Sequence, residues 1–277
     1  MRTIVHLSDL HFGAINEHAI GALIEAVGAL RPDVVAVSGD LTQRARAREF
    51  TRARAFLGEL PSPQIVVPGN HDVPFHNVVA RFCFQLSRYR RYITPDLEPF
   101  LMVGDDLAIA GLNTARSWTF KGGRVNEEQV TRVCERLSAA PADAARIVVA
   151  HHPFDLPPGV GDRHLVGRAH LAMALFARSR TDVFLTGHLH ASRISQTGKR
   201  YRIPGHSALV LQAGTATSSR ERLEANAFNV LRIDRSQAVI EHFVWSSTGM
   251  AGAGAFKTLG QERFARDDDG WRAAKPE

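Results

Sequence analysis

Five short clusters of carboxylate, amide and imidazole side chains each follow directly on a run of β-forming residues, and no other feature restricts the fold so tightly. Thr3–Leu7 leads to Asp9-Leu10-His11, Val34–Val37 to Gly39-Asp40, and Ile65–Val67 to Gly69-Asn70-His71-Asp72. Ile147–Ala150 leads to His151-His152-Pro153, and Val183–Thr186 to Gly187-His188-Leu189-His190. Loops at the carboxyl ends of parallel strands converge, so donors repeated at this position are delivered to one edge. Asp9 and His11 stand two residues apart, as do His188 and His190, and in extended backbone such pairs point to the same side. Glycines at 39, 69 and 187 let main chain pass close beside a crowded site. Each cluster alone has a plain structural explanation: a capped turn, a turn after a strand, a satisfied pair of core histidines. All five in order, each behind a strand, point to metal chelation.

The segments between the clusters read as helices. Glu17–Leu30 places Ile20, Leu23, Ile24, Val27 and Leu30 at helical spacing behind Asn16 as N-cap, and Arg31-Pro32-Asp33 ends it. Arg44–Leu60 is a basic amphipathic helix with Phe50, Ala53 and Leu57 on one face. Leu107–Leu112 reads as a strand, Asn126 caps a helix running to about Ala140, and Leu165–Arg178 is a further helix. The β-α-β-α-β order favours parallel neighbours joined by helical crossovers. Later, Leu209–Gln212, Ala227–Ile233 and Ala238–Trp245 follow one another as strands with no helix between them, which predicts a second sheet packed on the first. Neither an internal repeat nor a linker interrupts the chain. One domain over residues 1–265 is expected, with 266–277, from the run Arg266-Asp267-Asp268-Asp269-Gly270 to Lys275-Pro276-Glu277, as a flexible tail.

Asn77–Tyr92 sets Val78, Phe82, Leu86 and Tyr89 on one helical face beside Arg81, Arg88, Arg90 and Arg91. It reads either as a surface helix with a solvated basic face or as a cap that meets an anionic substrate or an acidic membrane surface. The net charge of +6 is compatible with both. A chain of 277 residues is long enough for a substantial core, and no apolar run approaches the length of a transmembrane helix. Cys83 and Cys134, both in apolar helix-like settings, imply no disulfide framework. With no signal peptide ahead of Thr3–Leu7, a cytoplasmic location is expected. Oligomeric state is not readable.

The motifs Asp9-x-His11, Gly39-Asp40, Gly69-Asn70-His71-Asp72, His151 after its strand and Gly187-His188-x-His190 resemble those of the calcineurin-like metallophosphoesterase superfamily, over residues 9 to 190. The resemblance implies an α/β fold, a four-layer α/β/β/α sandwich of two mixed sheets flanked by helices. It implies a binuclear centre of two divalent or mixed-valence ions. One ion would be held by Asp9, His11, Asp40 and His190, the other by Asp40, Asn70, His151 and His188, with Asp40 bridging. His151 is chosen over His152 because the family's ligand is the first residue after the strand. This donor set lacks a thiolate and suits manganese, iron, zinc or cobalt. Two such ions lower the pKa of a shared water, whose hydroxide attacks phosphorus in line. His71 is the expected proton donor to the leaving oxygen, with Asp72 orienting it.

Branches of the superfamily differ around these motifs. Its protein phosphatases resemble Gly-Asp-x-Val-Asp-Arg-Gly and Gly-Asn-His-Glu, whereas this chain has Gly39-Asp40-Leu41-Thr42-Gln43 and Gly69-Asn70-His71-Asp72. Its repair nucleases begin like Ser8-Asp9-Leu10-His11-Phe12-Gly13 but usually carry a further DNA-capping domain, for which this chain has little room. Its UDP-diacylglucosamine hydrolases typically place Arg where His71 stands. The chain is most similar to bacterial class III cyclic-nucleotide phosphodiesterases and glycerophosphodiesterases, which share Gly-Asp-Leu-Thr, Gly-Asn-His-Asp and Gly-His-Leu-His. A small phosphodiester is therefore the expected substrate, a cyclic nucleotide with a 2′,3′ or 3′,5′ linkage among them. A UDP-diacylglucosamine-type lipid pyrophosphate and a non-catalytic scaffold on the same fold are the alternatives. Asn113, Arg124 and His206 lie in loops that are candidates to border the pocket, and the segment Ala213–Arg220 is a candidate for polar contacts; a structural role explains each at least as well.

Overall fold

The apolar residues sort into three buried clusters, and the layering follows from them. The computed structural model describes residues 1–75, 78–119, 122–219, 224–247 and 254–274. In chain order its elements are β1 (Arg2–Leu7), α1 (Glu17–Leu30), β2 (Val34–Val37), α2 (Ala47–Glu59), β3 (Gln64–Val66), α3 (Val78–Cys83), α4 (Ser87–Tyr92), β4 (Phe100–Val103), β5 (Leu107–Leu112) and α5 (Glu127–Ser138). There follow β6 (Ala145–Ala150), α6 (Ala169–Arg178), β7 (Val183–Thr186), β8 (Arg193–Gln196), α7 (Gly198–Tyr201), β9 (Leu209–Gln212), β10 (Ala227–Ile233), β11 (Gln237–Ser247), β12 (Gly254–Asp267) and β13 (Gly270–Ala273).

Alternate residues of the central strands serve different layers. Val5 and Leu7 of β1 and Val35 and Val37 of β2 pack with Leu23 and Val27 of α1 and Phe50, Ala53 and Phe56 of α2. The intervening Ile4, Val34 and Ala36 meet Ile109, Ile147, Val149 and Leu185 of the other sheet. On that sheet's far side, Ala108, Leu112 and Val148 pack with Val133 and Leu137 of α5 and Met173 and Phe176 of α6. A strand buried on both faces reads as an unbroken apolar run, as Val34-Val35-Ala36-Val37 does. The result is the expected α/β/β/α sandwich, but the late strands do not make the second sheet: β10 and β11 extend the sheet of β1, and only β9 joins the other.

Both sheets are mixed. The seven-stranded sheet runs β13-β12-β11-β10-β1-β2-β3 and the six-stranded sheet β4-β5-β6-β7-β9-β8. Pairings β1–β2 and β2–β3 are parallel, as are β5–β6, β6–β7 and β7–β9. The helical crossovers between parallel neighbours put the carboxyl ends of β1, β2 and β3 on one edge, and those of β6 and β7 on another.

Several expectations about individual segments change. The tail expected from residue 266 is instead the end of β12 and β13, which pair with each other and bury Trp271 against Asp182. The polar stretch of β12 is exposed along most of its length and so lacks the apolar alternation that marks a strand. Lys275, Pro276 and Glu277 lie outside the described residues. The Arg44–Leu60 helix starts at Ala47, because the buried Glu49 carboxylate accepts the Arg44 and Arg46 N–H groups and holds the approach irregular. The basic segment, whose Asn77 lies outside the described residues, forms two short helices, and its apolar face divides: Leu86 and Tyr89 are buried while Val78 and Phe82 face solvent. Arg81, expected at the surface, is buried and donates to the carbonyls of Pro74, Ser117 and Thr119. Cys83 is exposed rather than packed, and both cysteines are free. Among the described residues no helix is long and apolar enough to cross a membrane.

Candidate metal centre

Both sheets contribute to one site. Asp9 and His11 follow β1, Asp40 follows β2 and Asn70 follows β3, while His151 follows β6 and His188 and His190 follow β7. Hydrogen bonds sew these loops together: His151 Nδ1 donates to the Ser38 carbonyl at 2.8 Å, and His188 N–H to Asp9 Oδ2 at 3.0 Å. Ala216 N–H donates to the Ser8 carbonyl and Ala213 N–H to the Thr186 carbonyl, so the polar segment after β9 straps the β1 loop to the β7 loop. Arg220, at its end, lies outside the described residues.

The i, i+2 pairs do not converge through extended backbone. Asp9 (φ 53°), His11 (52°), Asp40 (53°), His188 (76°) and His190 (55°) are all in the left-handed region. A non-glycine residue there costs on the order of 1–3 kcal/mol and persists only where its surroundings enforce it. Such strain concentrated on donor residues is a property of functional sites. Gly69 and Gly187 are required by close approach: a Cβ on the first would collide with Asp40, and on the second with Ser8 and Asp9.

Each carboxylate divides its two oxygens. Asp9 Oδ2 accepts from Ser8 Oγ (2.6 Å) and His188 N (3.0 Å). Its Oδ1 is buried without a hydrogen bond, 3.2 Å from His190 Nε2 and 3.5 Å from His11 Nε2. Those two ring nitrogens are themselves 3.2 Å apart. Asp40 Oδ1 accepts the His71 N–H at 2.8 Å, and its Oδ2 lies 3.8 Å from His11 Nε2 and 3.4 Å from His151 Nε2. On the far side, Asn70 Oδ1 is 3.1 Å from both His151 Nε2 and His188 Nδ1. Donors bound at about 2.0–2.2 Å to one cation lie about 3–3.5 Å from each other. Two groups of donors meet that spacing, with Asp40 Oδ2 between them. The orphaned Asp9 oxygen and the absence of thiolate fit a hard or borderline divalent ion.

Electrostatics agree with this fit. Burial lowers His11, and it lowers His188 to about 3, so both rings stay neutral as ligation requires. Burial also opposes charge on His151, but the Asp40 carboxylate outweighs it and lifts the ring to about 9. Burial would neutralise Asp9, yet His190 and His11 hold it well below the usual carboxylate range. The extra proton on His151 is the one that a cation bound there would displace.

His71 faces the same space, with its Nε2 4.0 Å from Asp40 Oδ2 and its side chain a third exposed. Its Nδ1 lies 2.9 Å from the Gln43 carbonyl, an acceptor only, so Nδ1 carries the hydrogen and Nε2 is left for exchange. Asp72 does not orient it. The Asp72 carboxylate accepts from Gly69 N (2.9 Å), Leu41 N (3.2 Å), Thr42 N (2.9 Å) and Thr42 Oγ1 (3.0 Å), tying the second strand's loop to the third's. Burial first, and the neighbouring Asp40 charge second, raise Asp72 to about 6.

His152 turns its Nδ1 to Thr114 Oγ1 at 2.8 Å, while His151 meets Asp40 and Asn70, which favours His151 as the donor of the doublet. His152 still stands against His188, with ring centroids 4.7 Å apart. Asn113 serves its own loop, accepting from Ala115 N–H. Arg124 bonds through its main chain to Thr114. His206 sits at the other end of the sheet, before β9, with its ring bonded to the Thr181 carbonyl. Sequence reasoning missed Gln43, whose carbonyl at 2.9 Å and side-chain Nε2 at 3.4 Å both approach His71 Nδ1, and His164, 6.1 Å from His188 between ring centroids, which no spacing signal marks.

Residues 2–192 match the family model of the calcineurin-like phosphoesterases. Over 212 residues the chain is 30% identical to a glycerophosphodiester phosphodiesterase of Enterobacter lignolyticus, covering 70% of this chain and 72% of the relative. It is 28% identical to a cAMP/cGMP dual specificity phosphodiesterase of Mycobacterium tuberculosis, over 68% of this chain and 62% of the relative. It is 24% identical to a 3′,5′-cyclic adenosine monophosphate phosphodiesterase of Escherichia coli, over 68% and 69% respectively. The fold matches a structure of PhoD with a TM-score of 0.73 at 12% identity, covering 100% of this chain and 72% of that one.

Proposed function

The chain belongs to the calcineurin-like phosphoesterases and is a metal-dependent phosphoric ester hydrolase, and from that premise we propose that it is a phosphodiesterase working with two metal ions on a small phosphodiester. The observation that carries the reading is the sharing of Asp40 Oδ2 between two groups of donor atoms. Asp9, His11 and His190 would hold one ion with it, and Asn70, His151 and His188 the other. Bound there, the two ions would supply a water of low pKa and offset the negative charge of the phosphoryl oxygens.

This chain's own residues do the rest. The Asp72 carboxylate and the strap after β9 keep the loops fixed, so donors need not reorganise during turnover. His71 holds a proton at Nε2 when charged, beside the space where a leaving oxygen would depart. A diester needs that proton because its alkoxide is a poor leaving group. The activities of the relatives, on glycerophosphodiesters and cyclic nucleotides, supply the substrate classes to try first. The free thiols of Cys83 and Cys134 fit the reducing, cytoplasmic setting that we include in the proposal.

A manganese-loaded screen tests it, with 2′,3′- and 3′,5′-cyclic nucleotides, glycerophosphodiesters, UDP-diacylglucosamine and phosphate monoesters as arms. The proposal expects turnover of one or more small diesters, well above that of the monoesters. Equal rates on monoesters, turnover confined to UDP-diacylglucosamine, or no hydrolysis with manganese, iron, zinc or cobalt would each overturn it.

A further inference from the structure

A second surface borders the metal centre's loops and is independent of the hydrolysis reading. Phe75, Val78, Val79, Phe82, Phe84 and Trp118 are all solvent-exposed, Trp118 at 84% and Val78 at 66%. Four of them form one patch: Val78, Val79 and Phe82 share a face of α3, and the Phe82 and Trp118 rings touch edge to face with centroids 4.8 Å apart. Monomeric proteins seldom leave large aromatic side chains grouped in water unless something covers them. The patch is also held in place. The buried Arg81 guanidinium clamps the carbonyls of Pro74, Ser117 and Thr119, fixing both chain segments that carry it. Pro74 is only two residues beyond Asp72, so the patch is anchored to the metal-site loop.

Charge identifies the occupant. Arg88, Arg90 and Arg91 of the adjoining α4 are exposed, and no Asp or Glu occurs between Asp72 and Asp96. A two-fold contact would set this basic surface against its own copy, arginine facing arginine without a carboxylate from the segment to separate them. An acidic lipid surface satisfies both halves at once: aromatic and aliphatic side chains enter the headgroup boundary, and guanidinium groups meet phosphate. We propose that the α3–α4 surface docks the protein on anionic phospholipid membranes, with Phe82 and Trp118 inserted and Arg90 and Arg91 on the headgroups.

Sedimentation with vesicles tests this directly. The full chain is mixed with phosphatidylcholine vesicles containing or lacking phosphatidylglycerol, alongside the variants F82S/W118S and R90E/R91E. All these side chains are surface groups, and unchanged melting temperatures would establish that the variants fold. The expected result is binding to the phosphatidylglycerol vesicles, weakened about tenfold or more in either variant and reduced by added salt. The proposal is overturned if the wild-type chain stays in the supernatant with anionic vesicles, or if both variants bind as well as the wild type. It is equally overturned if the wild type is a dimer in solution that F82S/W118S converts to monomer, since a second copy would then be the occupant.

Discussion

The imidazole of His71 donates its Nδ1 hydrogen to the main-chain carbonyl of Gln43 at 2.9 Å. The ring is thereby fixed by the loop after β2, with Nε2 directed at the space beside Asp40. That placement supports the proposed role of His71 as proton donor to the leaving oxygen. His71→Asn should lower turnover of an alkyl diester by about 100- to 1,000-fold. Turnover of a diester releasing p-nitrophenolate, which departs without a proton, should fall far less, and bound metal should be unchanged. Comparing the two substrates and the metal content checks the assignment; equal losses on both substrates would contradict it.

Asp72 has a different task. Three main-chain N–H groups and the Thr42 hydroxyl depend on its two oxygens. Asp72→Asn retains one oxygen and places an NH2 group where the other accepted. A loss of about 1–3 kcal/mol in unfolding free energy is expected from the stranded donors. The ratio of rates on good and poor leaving groups should stay at the wild-type value, because the carboxylate does not touch the His71 ring. Denaturant melts and the paired substrates read both. A changed ratio with unchanged stability would restore the orienting role expected from the sequence.

Metal uptake should be linked to proton release. The Asp40 carboxylate lifts His151 to about 9, so the apo-protein carries that proton near neutral pH, whereas buried His11 and His188 are already neutral. A ligated imidazole must give up the hydrogen at its metal-facing nitrogen, so binding expels about one proton per chain. Affinity should rise with pH until about 9 and then level off. Calorimetric titration with manganese in buffers of different ionisation enthalpy counts the protons; a heat independent of buffer would contradict the charge state.

Acid stability carries a separate signature from His6. Burial depresses this ring to about 3 from an ordinary value of 6.5, with Nε2 bonded to Ser38 Oγ. The unfolded chain therefore takes up a proton that the folded chain refuses. This contribution to stability is complete above about 6.5 and is lost as pH falls toward about 3. Melting temperatures of wild type and His6→Asn should diverge in their pH slopes over that window, with the wild type falling faster. Parallel curves would show that His6 does not titrate with folding.

The candidate donors were legible in the sequence because each occupies a strand end, and strand ends are marked by apolar runs such as Val34–Val37. The α/β/β/α layering came from the resemblance those motifs support, and the three apolar clusters give its physical basis. What escaped had no side-chain pattern to announce it. Gln43 acts through its carbonyl, and the left-handed bends at Asp9, His11 and Asp40 are imposed by neighbours distant in sequence. Asp72 was misassigned because adjacency to His71 says nothing about which way a carboxylate turns. The apolar spacing of Val78 and Phe82 was real, but their side chains face water because Arg81 takes the buried position to clamp three carbonyls. The end of the chain looked loose because β12 is polar on exposed ground.

The central claim is that Asp40 stands between two metal ions. Anomalous diffraction from crystals grown with manganese tests it most directly. Two peaks per chain are predicted, one among Asp9, His11 and His190 and one among Asn70, His151 and His188, each within ligand distance of Asp40 Oδ2. A single peak, or a second peak held by His151, His152 and His188 without Asp40, would contradict it.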